Sequence, residues 1–194
     1  RRALWTAKVL AGLSAQGGVG REEISIRQDA PVVRRQFQGV VLGIDPSLRG
    51  TGLALVEFTA HGPRLLASRT VKLKPGVPFA ACLAEIFRAA QEFVNQAPVK
   101  HLAVEQTIFV QSRKTVHILG AAKGAAIAAG GLAGAEVFEY APLRVKQAVV
   151  GLGRASKEQV AHMVAQLLGL KTALPADEAD AAATALCHGF TWKG

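Results

Sequence analysis

Two short apolar runs, "VVLGID" at 40–45 and "KHLAVEQ" at 100–106, each close on a carboxylate, Asp45 in the first and Glu105 in the second. Runs of this length between turn signals read as buried strands. A charge at the end of an otherwise apolar strand needs a partner, because an unpaired buried charge is costly. The pattern around them repeats. "LALVEF" and "RLLASRTVKL" read as a second and third strand, and Pro75, Gly76 and Pro78 break the chain. "FAACLAEIFRAAQEFVNQ" has helical spacing, with Leu83, Ile86, Phe87 and Phe93 on one side. Beyond Glu105, a polar loop over roughly residues 107–114 leads into an Ala/Gly-rich helix. "EVFEYAP" is a fifth strand, and helices are expected from about Pro142, from Ser156 and from Pro175. Ser156 with Gln159 fits a capping box, and Pro175 suits a first helical turn. Three strands followed by alternating helices and strands predict an α/β fold, a five-stranded mixed sheet with helices on both faces.

Of the 194 residues, 50% are hydrophobic, which fits one globular domain with a real core. The net charge of +9 favours a polyanionic partner, nucleic acid first. Cys82 and Cys187 lack any zinc-ligand or C-x-x-C spacing, so a reducing, cytoplasmic setting is the expectation. The apolar stretch "ILGAAKGAAIAAGGLAGAEV" carries Lys123 and reads as a closely packed helix, with no membrane partner expected. Its Gly120 and Gly124 form a G-x-x-x-G that hints at close packing. Residues 1–39 stand apart as a basic, glycine-containing extension, expected to be flexible, ahead of a domain spanning 40–194.

The last predicted helix opens with "ADEAD". A motor ATPase would need a G-x-x-x-x-G-K-[ST] phosphate loop, and no stretch of the chain fits it. Asp177 and Asp180 lie three apart and share a helix face, whereas Glu178 falls off that face and reads as a bystander. Taken alone, Asp177 is better explained by capping and the helix dipole than by catalysis. Neighbouring strand ends would bring Asp45 and Glu105 together, and "GIDPSLRGTG" around Asp45 suggests a tight turn with open space for a ligand. Clustered carboxylates repel unless neutralised, and Mg²⁺ is the hard cation that suits oxygen ligands.

"GIDPSLRGTG", "AVEQ", "VFEYAPLRVKQAVVGLGRASKEQVAHMV" and "ADEADAAATALCH" occur in an order and spacing that resembles the RuvC Holliday-junction resolvases. The resemblance spans about residues 40–190 and implies a ribonuclease H-like fold. It implies that Asp45, Glu105, Asp177 and Asp180 are catalytic and bind two Mg²⁺ ions, with Mn²⁺ as a substitute. It matches Lys146 and Lys157 to basic residues that contact DNA or steady the reacting phosphate. It also implies a homodimer through the Ala/Gly helix, a four-way DNA junction as substrate and a branch-migration motor complex as partner. Paired symmetric nicks with 5′-phosphate ends would result.

The chain departs from the family at Ser47, where glycine usually follows "GIDP", and in the extension 1–39. In the loop after Glu105, the position of an aromatic residue that in the family enters the junction falls on Ile108, with Phe109 next to it, and Arg113 and Lys114 would hold the DNA backbone. Two other functions fit the same residues: a ribonuclease H-like enzyme acting on RNA or RNA–DNA hybrids, and a junction-binding module without catalysis.

Overall fold

The structure is a computed structural model and describes residues 37–107 and 112–193. In chain order its elements are β1 (Gly39–Asp45), β2 (Gly50–Thr59), β3 (Gly62–Lys72), α1 (Phe79–Gln96), β4 (Val99–Glu105), α2 (Arg113–Leu132), β5 (Glu136–Tyr140), α3 (Pro142–Val150), α4 (Lys157–Leu167) and α5 (Ala176–Thr191). The five strands form one sheet in the order β3-β2-β1-β4-β5. β1 runs antiparallel to β2 and parallel to β4; β2 and β3 are antiparallel, β4 and β5 parallel. This is the mixed sheet that the order of apolar runs predicts.

Strand alternation sorts the core into two layers. Leu42, Ile44, Leu53, Leu55, Leu102 and Val104 face α1 and α2, where Ile86, Phe93, Ala122 and Ala126 meet them. Val41, Ala54, Val56 and Ala103 face the other way, onto α3, α4 and α5. On α1 the buried side is Cys82, Ile86, Ala89, Ala90, Phe93 and Val94, and Leu83 and Phe87 flank it, partly buried. Cys82 and Cys187 are free, buried thiols.

α2 packs closely at Gly130, where an added Cβ would lie 2.2 Å from a Leu102 methyl carbon. The expected close packing at Gly120 and Gly124 does not occur within the described residues, since a Cβ there would meet nothing within 4 Å. α2 is long and apolar enough to cross a membrane by length and composition; here Ala122, Ala126, Ala129 and Gly130 pack it onto the core. It starts at Arg113, so Arg113 and Lys114 are helical rather than part of the preceding loop.

α5 lies directly on the sheet. A Cβ on Gly43 would sit 2.0 Å from the Ala181 carbonyl oxygen, and one on Gly52 would sit 1.9 Å from that of Asp177. Only glycine tolerates such an approach. Gly50 and Gly52 belong to β2 rather than to a turn; helix backbone fills the space beside Gly52, and the Asp177 carboxylate lies beside Gly50. Ser47 sits in the turn ahead of them, where its N–H donates to the Thr51 hydroxyl at 3.2 Å. That hydroxyl donates in turn to the Ser47 carbonyl. Both bonds use the backbone of residue 47, so its side chain is not needed for the turn.

At its far end α5 carries His188, fully buried among rings. Its Nδ1 pairs with the Tyr140 hydroxyl at 2.7 Å and its Nε2 with Nδ1 of His101 at 2.8 Å. Phe37 stacks edge-on against His188 and Trp192, with centroids 5.1 and 5.4 Å away. The core thus begins at Phe37, inside the stretch 1–39 read as an extension; residues 1–36 lie outside the described residues.

Burial, reinforced by the neighbouring His101, lowers the His188 pKa from 6.5 to about 4. A depressed pKa makes the unfolded chain bind the extra proton first, so this stability is complete above pH 6.5 and is lost as pH falls through about 4. Urea unfolding at pH 7 and pH 4.5 should show wild type losing on the order of 2 kcal/mol more than His188→Gln. Equal losses in the two proteins would show that His188 is not the titrating group.

Candidate active site

One row of residues crosses the sheet in register. Thr70 on β3 pairs with Gly52 on β2, and Gly52 pairs with Asp45 at the end of β1. Ile44 pairs with Val104, which brings Asp45 and Glu105 side by side at the ends of two parallel strands. Glu105 pairs with Tyr140 on β5. Ile44 and Val104 face α1 and α2, so alternation turns Asp45 and Glu105 to the face covered by α5.

The first turn of α5 lies over this row. Asp177 sits on the β2 side, its carboxylate 3.3 Å from where a Cβ on Gly50 would be. Asp180, one turn on, points toward the strand ends and accepts a 2.9 Å bond from Lys157 Nζ. Lys157 reaches it from the first residue of α4, set there by the Ser156 cap. The box is reciprocal: Gln159 N–H donates to Ser156 Oγ at 3.3 Å, and Ser156 N–H to Gln159 Oε1 at 2.8 Å. A cation at a helix N-terminus opposes the dipole, so local helix stability does not account for Lys157. The Lys157 side chain is 74% exposed, that of Asp180 19%. An ion pair so open to water contributes little stability.

A cavity of about 220 Å³ collects Asp45, Glu105, Asp180, Lys146 and Lys157 over an apolar floor that includes Val145 and Val160. A second, of about 210 Å³, shares Asp45 and Glu105 and extends along Gln106 and Thr107 to Leu119 of α2. Burial, then the charges of Glu105 and Asp180, push the Asp45 pKa from 3.8 up to about 7; Lys157 pulls the other way. Burial and Asp180 likewise raise Glu105, opposed by Lys157 and Lys146. Lys157 itself is raised, chiefly by its bond to Asp180.

Asp45, Glu105, Asp180, Lys146 and Lys157 therefore converge, with Asp177 at the margin. Among the described residues, no three His, Cys, Asp or Glu side chains stand close enough to ligate one ion. Asp180 is engaged by Lys157, and Asp177 is turned to Gly50. The donor set nonetheless fits a hard divalent cation: neighbouring carboxylates oppose ionisation of Asp45 and Glu105, and added positive charge relieves that repulsion. Arg113 and Lys114 are exposed at the start of α2 and line neither cavity. Ile108 and Phe109 lie outside the described residues. Glu178 points away from the cavity, but it is no bystander: Ser68 Oγ donates to it at 2.6 Å and Thr70 Oγ1 at 3.3 Å. Nothing in the local sequence pairs Glu178 with hydroxyls more than a hundred positions away; strand pairing creates that contact.

The family model described as crossover junction endodeoxyribonuclease RuvC matches residues 41–188. The RuvC of Pelotomaculum thermopropionicum is 38% identical over 79% of this chain and 96% of its own length. That of Chromohalobacter salexigens is 40% identical over 80% and 83%. Among solved structures, Thermus thermophilus RuvC in complex with a Holliday junction substrate is similar with a TM-score of 0.74 and 39% identity, covering 79% of this chain and 94% of that one. The yeast mitochondrial Holliday junction resolvase Ydc2, at 12% identity and a TM-score of 0.54, shares the fold.

The raised pKa of Asp45 makes its own contribution to how stability depends on pH without metal. The folded state prefers the neutral acid, so this contribution is complete below pH 3.8 and is lost as pH rises through about 7. In EDTA at pH 8, Asp45→Asn should be more stable than wild type by roughly 1–3 kcal/mol, and the gap should close by pH 4. A gap that is absent at pH 8, or that persists unchanged at pH 4, would contradict the strained carboxylate.

Proposed function

Because the chain belongs to the RuvC family of crossover junction endodeoxyribonucleases, we propose that Asp45, Glu105, Asp177 and Asp180 form the hydrolytic centre with which it cuts DNA. The chain is a structure-selective endonuclease that resolves four-way junctions in recombination and repair. The observation that carries the site assignment is the convergence of Asp45, Glu105 and Asp180 in one cavity, with Asp45 pushed up to about 7.

The four carboxylates would hold the metal, with two Mg²⁺ ions per site as the proposed complement and Mn²⁺ as a substitute. Bound there, the metal would supply Lewis-acid stabilisation of the phosphate and a lowered pKa for water in the site. Lys146 and Lys157 bring positive charge to the same cavity, where charge developing on the phosphate oxygens needs it. Lys157 is largely exposed, so it can turn from Asp180 to a phosphate without losing a buried contact. Hydrolysis adds water across the bond between phosphorus and the 3′ oxygen, leaving a 5′-phosphate and a 3′-hydroxyl that a ligase can rejoin. Arg113 and Lys114 are the proposed backbone contacts flanking the site, and Ile108 and Phe109, just beyond Glu105 in the chain, the proposed apolar contacts at the junction centre.

A symmetric homodimer through the outer face of α2 is proposed to present two such sites to opposed strands. Supporting it, a Cβ added at Gly120, Gly124 or Gly131 would meet no described atom of another element within 4 Å, and Val116 and Leu132 are exposed. A branch-migration motor in the cytoplasm is the proposed partner, and residues 1–36, ahead of the core residue Phe37, are proposed as a basic arm.

Asp45→Asn should bind a synthetic four-way junction with near wild-type affinity while cleavage in Mg²⁺ falls by on the order of 10³-fold. Cleavage at the wild-type rate would sink the assignment. An RNA–DNA hybrid offered alongside should survive, and its preferential cleavage would favour the ribonuclease reading. Junction shifted on a gel by wild type but never nicked in Mg²⁺ or Mn²⁺ would favour a binding module. In sedimentation, wild type should run as a dimer and Gly124→Glu as a monomer; a dimeric Gly124→Glu would place the interface elsewhere.

A further inference from the structure

The start of α5 needs an anchor that capping does not supply. Its first turn is uncapped: Pro175 occupies the N-cap and makes no side-chain bond to the helix. Yet that turn must be held closely, because Asp177 bears on Gly52 backbone to backbone and Asp180 must reach the strand ends. The described polar contacts that tie the first turn to the rest of the molecule are the exposed Lys157–Asp180 pair and the two bonds of Glu178 to β3.

Glu178 is well placed for this. Ser68 and Thr70 are two apart on β3, so their hydroxyls share the face beneath α5. Thr70 is the register partner of Gly52, the residue on which the Asp177 carbonyl rests. The helix thus bears on β2 and is fastened one strand farther out, with each Glu178 carboxylate oxygen accepting one hydroxyl. A charged acceptor makes such bonds stronger than neutral ones. Fastened there, α5 cannot roll about its axis or slide along β2 without breaking them, and either movement would carry Asp177 and Asp180 away from Asp45.

We propose that Glu178 is a positioning residue for the metal-binding carboxylates, acting through Ser68 and Thr70 to fix the rotation and height of α5's first turn. This rests on the reading of the four carboxylates as the metal site.

The test is Mn²⁺ binding followed by electron paramagnetic resonance, without DNA, on wild type, Glu178→Ala, Glu178→Gln and Ser68→Ala/Thr70→Val. Glu178→Gln removes the charge but keeps an oxygen that accepts from Ser68. The hydroxyl pair variant keeps the charge but removes both donors. Glu178→Ala and the pair variant should each weaken Mn²⁺ binding about tenfold, and Glu178→Gln should stay within about threefold of wild type. Junction cleavage by Glu178→Ala should recover toward the wild-type rate as Mn²⁺ is raised. Wild-type Mn²⁺ affinity in the pair variant, or a Glu178→Gln as weak as Glu178→Ala, would overturn the proposal, the latter by showing that charge alone matters. The pair variant decides the question even if Glu178→Ala does not fold. Failure of wild type itself to bind Mn²⁺ would instead count against the carboxylate site.

Discussion

The contact of α5 with Gly43 and Gly52 is the constraint on which the remaining geometry depends. Two carbonyl oxygens of the helix occupy positions where side chains of β1 and β2 would otherwise stand. With a Cβ on either strand residue, the helix would have to lift, and Asp177 and Asp180 would rise with it. The same approach explains the run of alanines. Ala179, Ala181, Ala182, Ala183 and Ala185 are all buried, each too small to prop the helix off the sheet. Overpacking at such a seam typically costs 1–3 kcal/mol. Here it would also dismantle the site, because the first two turns of this helix supply two of its carboxylates.

Much of this was legible in the sequence. The apolar runs gave five strands, and Asp45 and Glu105 stood out because each ends a run with no room for a charge. Ser156 and Gln159 announced the start of α4. Other features were hidden for physical reasons. Gly52 reads as turn punctuation because a glycine's local preferences are the same whether it serves a turn or a close approach. Glu178 reads as a bystander because helical periodicity describes one helix, while the partners of Glu178 belong to an edge strand. His188, buried against Tyr140 and His101, could not be told from a surface histidine without the pairing of strands that brings the three together.

The site sets electrostatics against folding. Asp45 and Glu105 stand where burial and the charge of Asp180 both oppose ionisation, and the nearby cations only partly offset this. Such an arrangement persists only if the surrounding packing is strong enough to impose it. The sheet supplies that packing from both faces, with Ile44 and Val104 fully buried immediately before the two carboxylates. His188 works in the opposite sense with pH, since acid destabilises its buried ring while acid relieves Asp45.

α5 runs through the interior for most of its length, and this governs where the protein can carry its charge. From Ala176 to Thr191 it has no lysine or arginine, and its residues from Ala181 to Gly189 are all buried. A helix with so little solvent surface cannot help attract a polyanion, and its acidic first turn would repel one. The excess of nine positive charges is therefore carried by other parts of the chain. The fold separates the two tasks: one element concentrates negative charge at the strand ends, and its neighbours, with Lys157 at the head of α4 and Lys146 on α3, surround that point with positive charge.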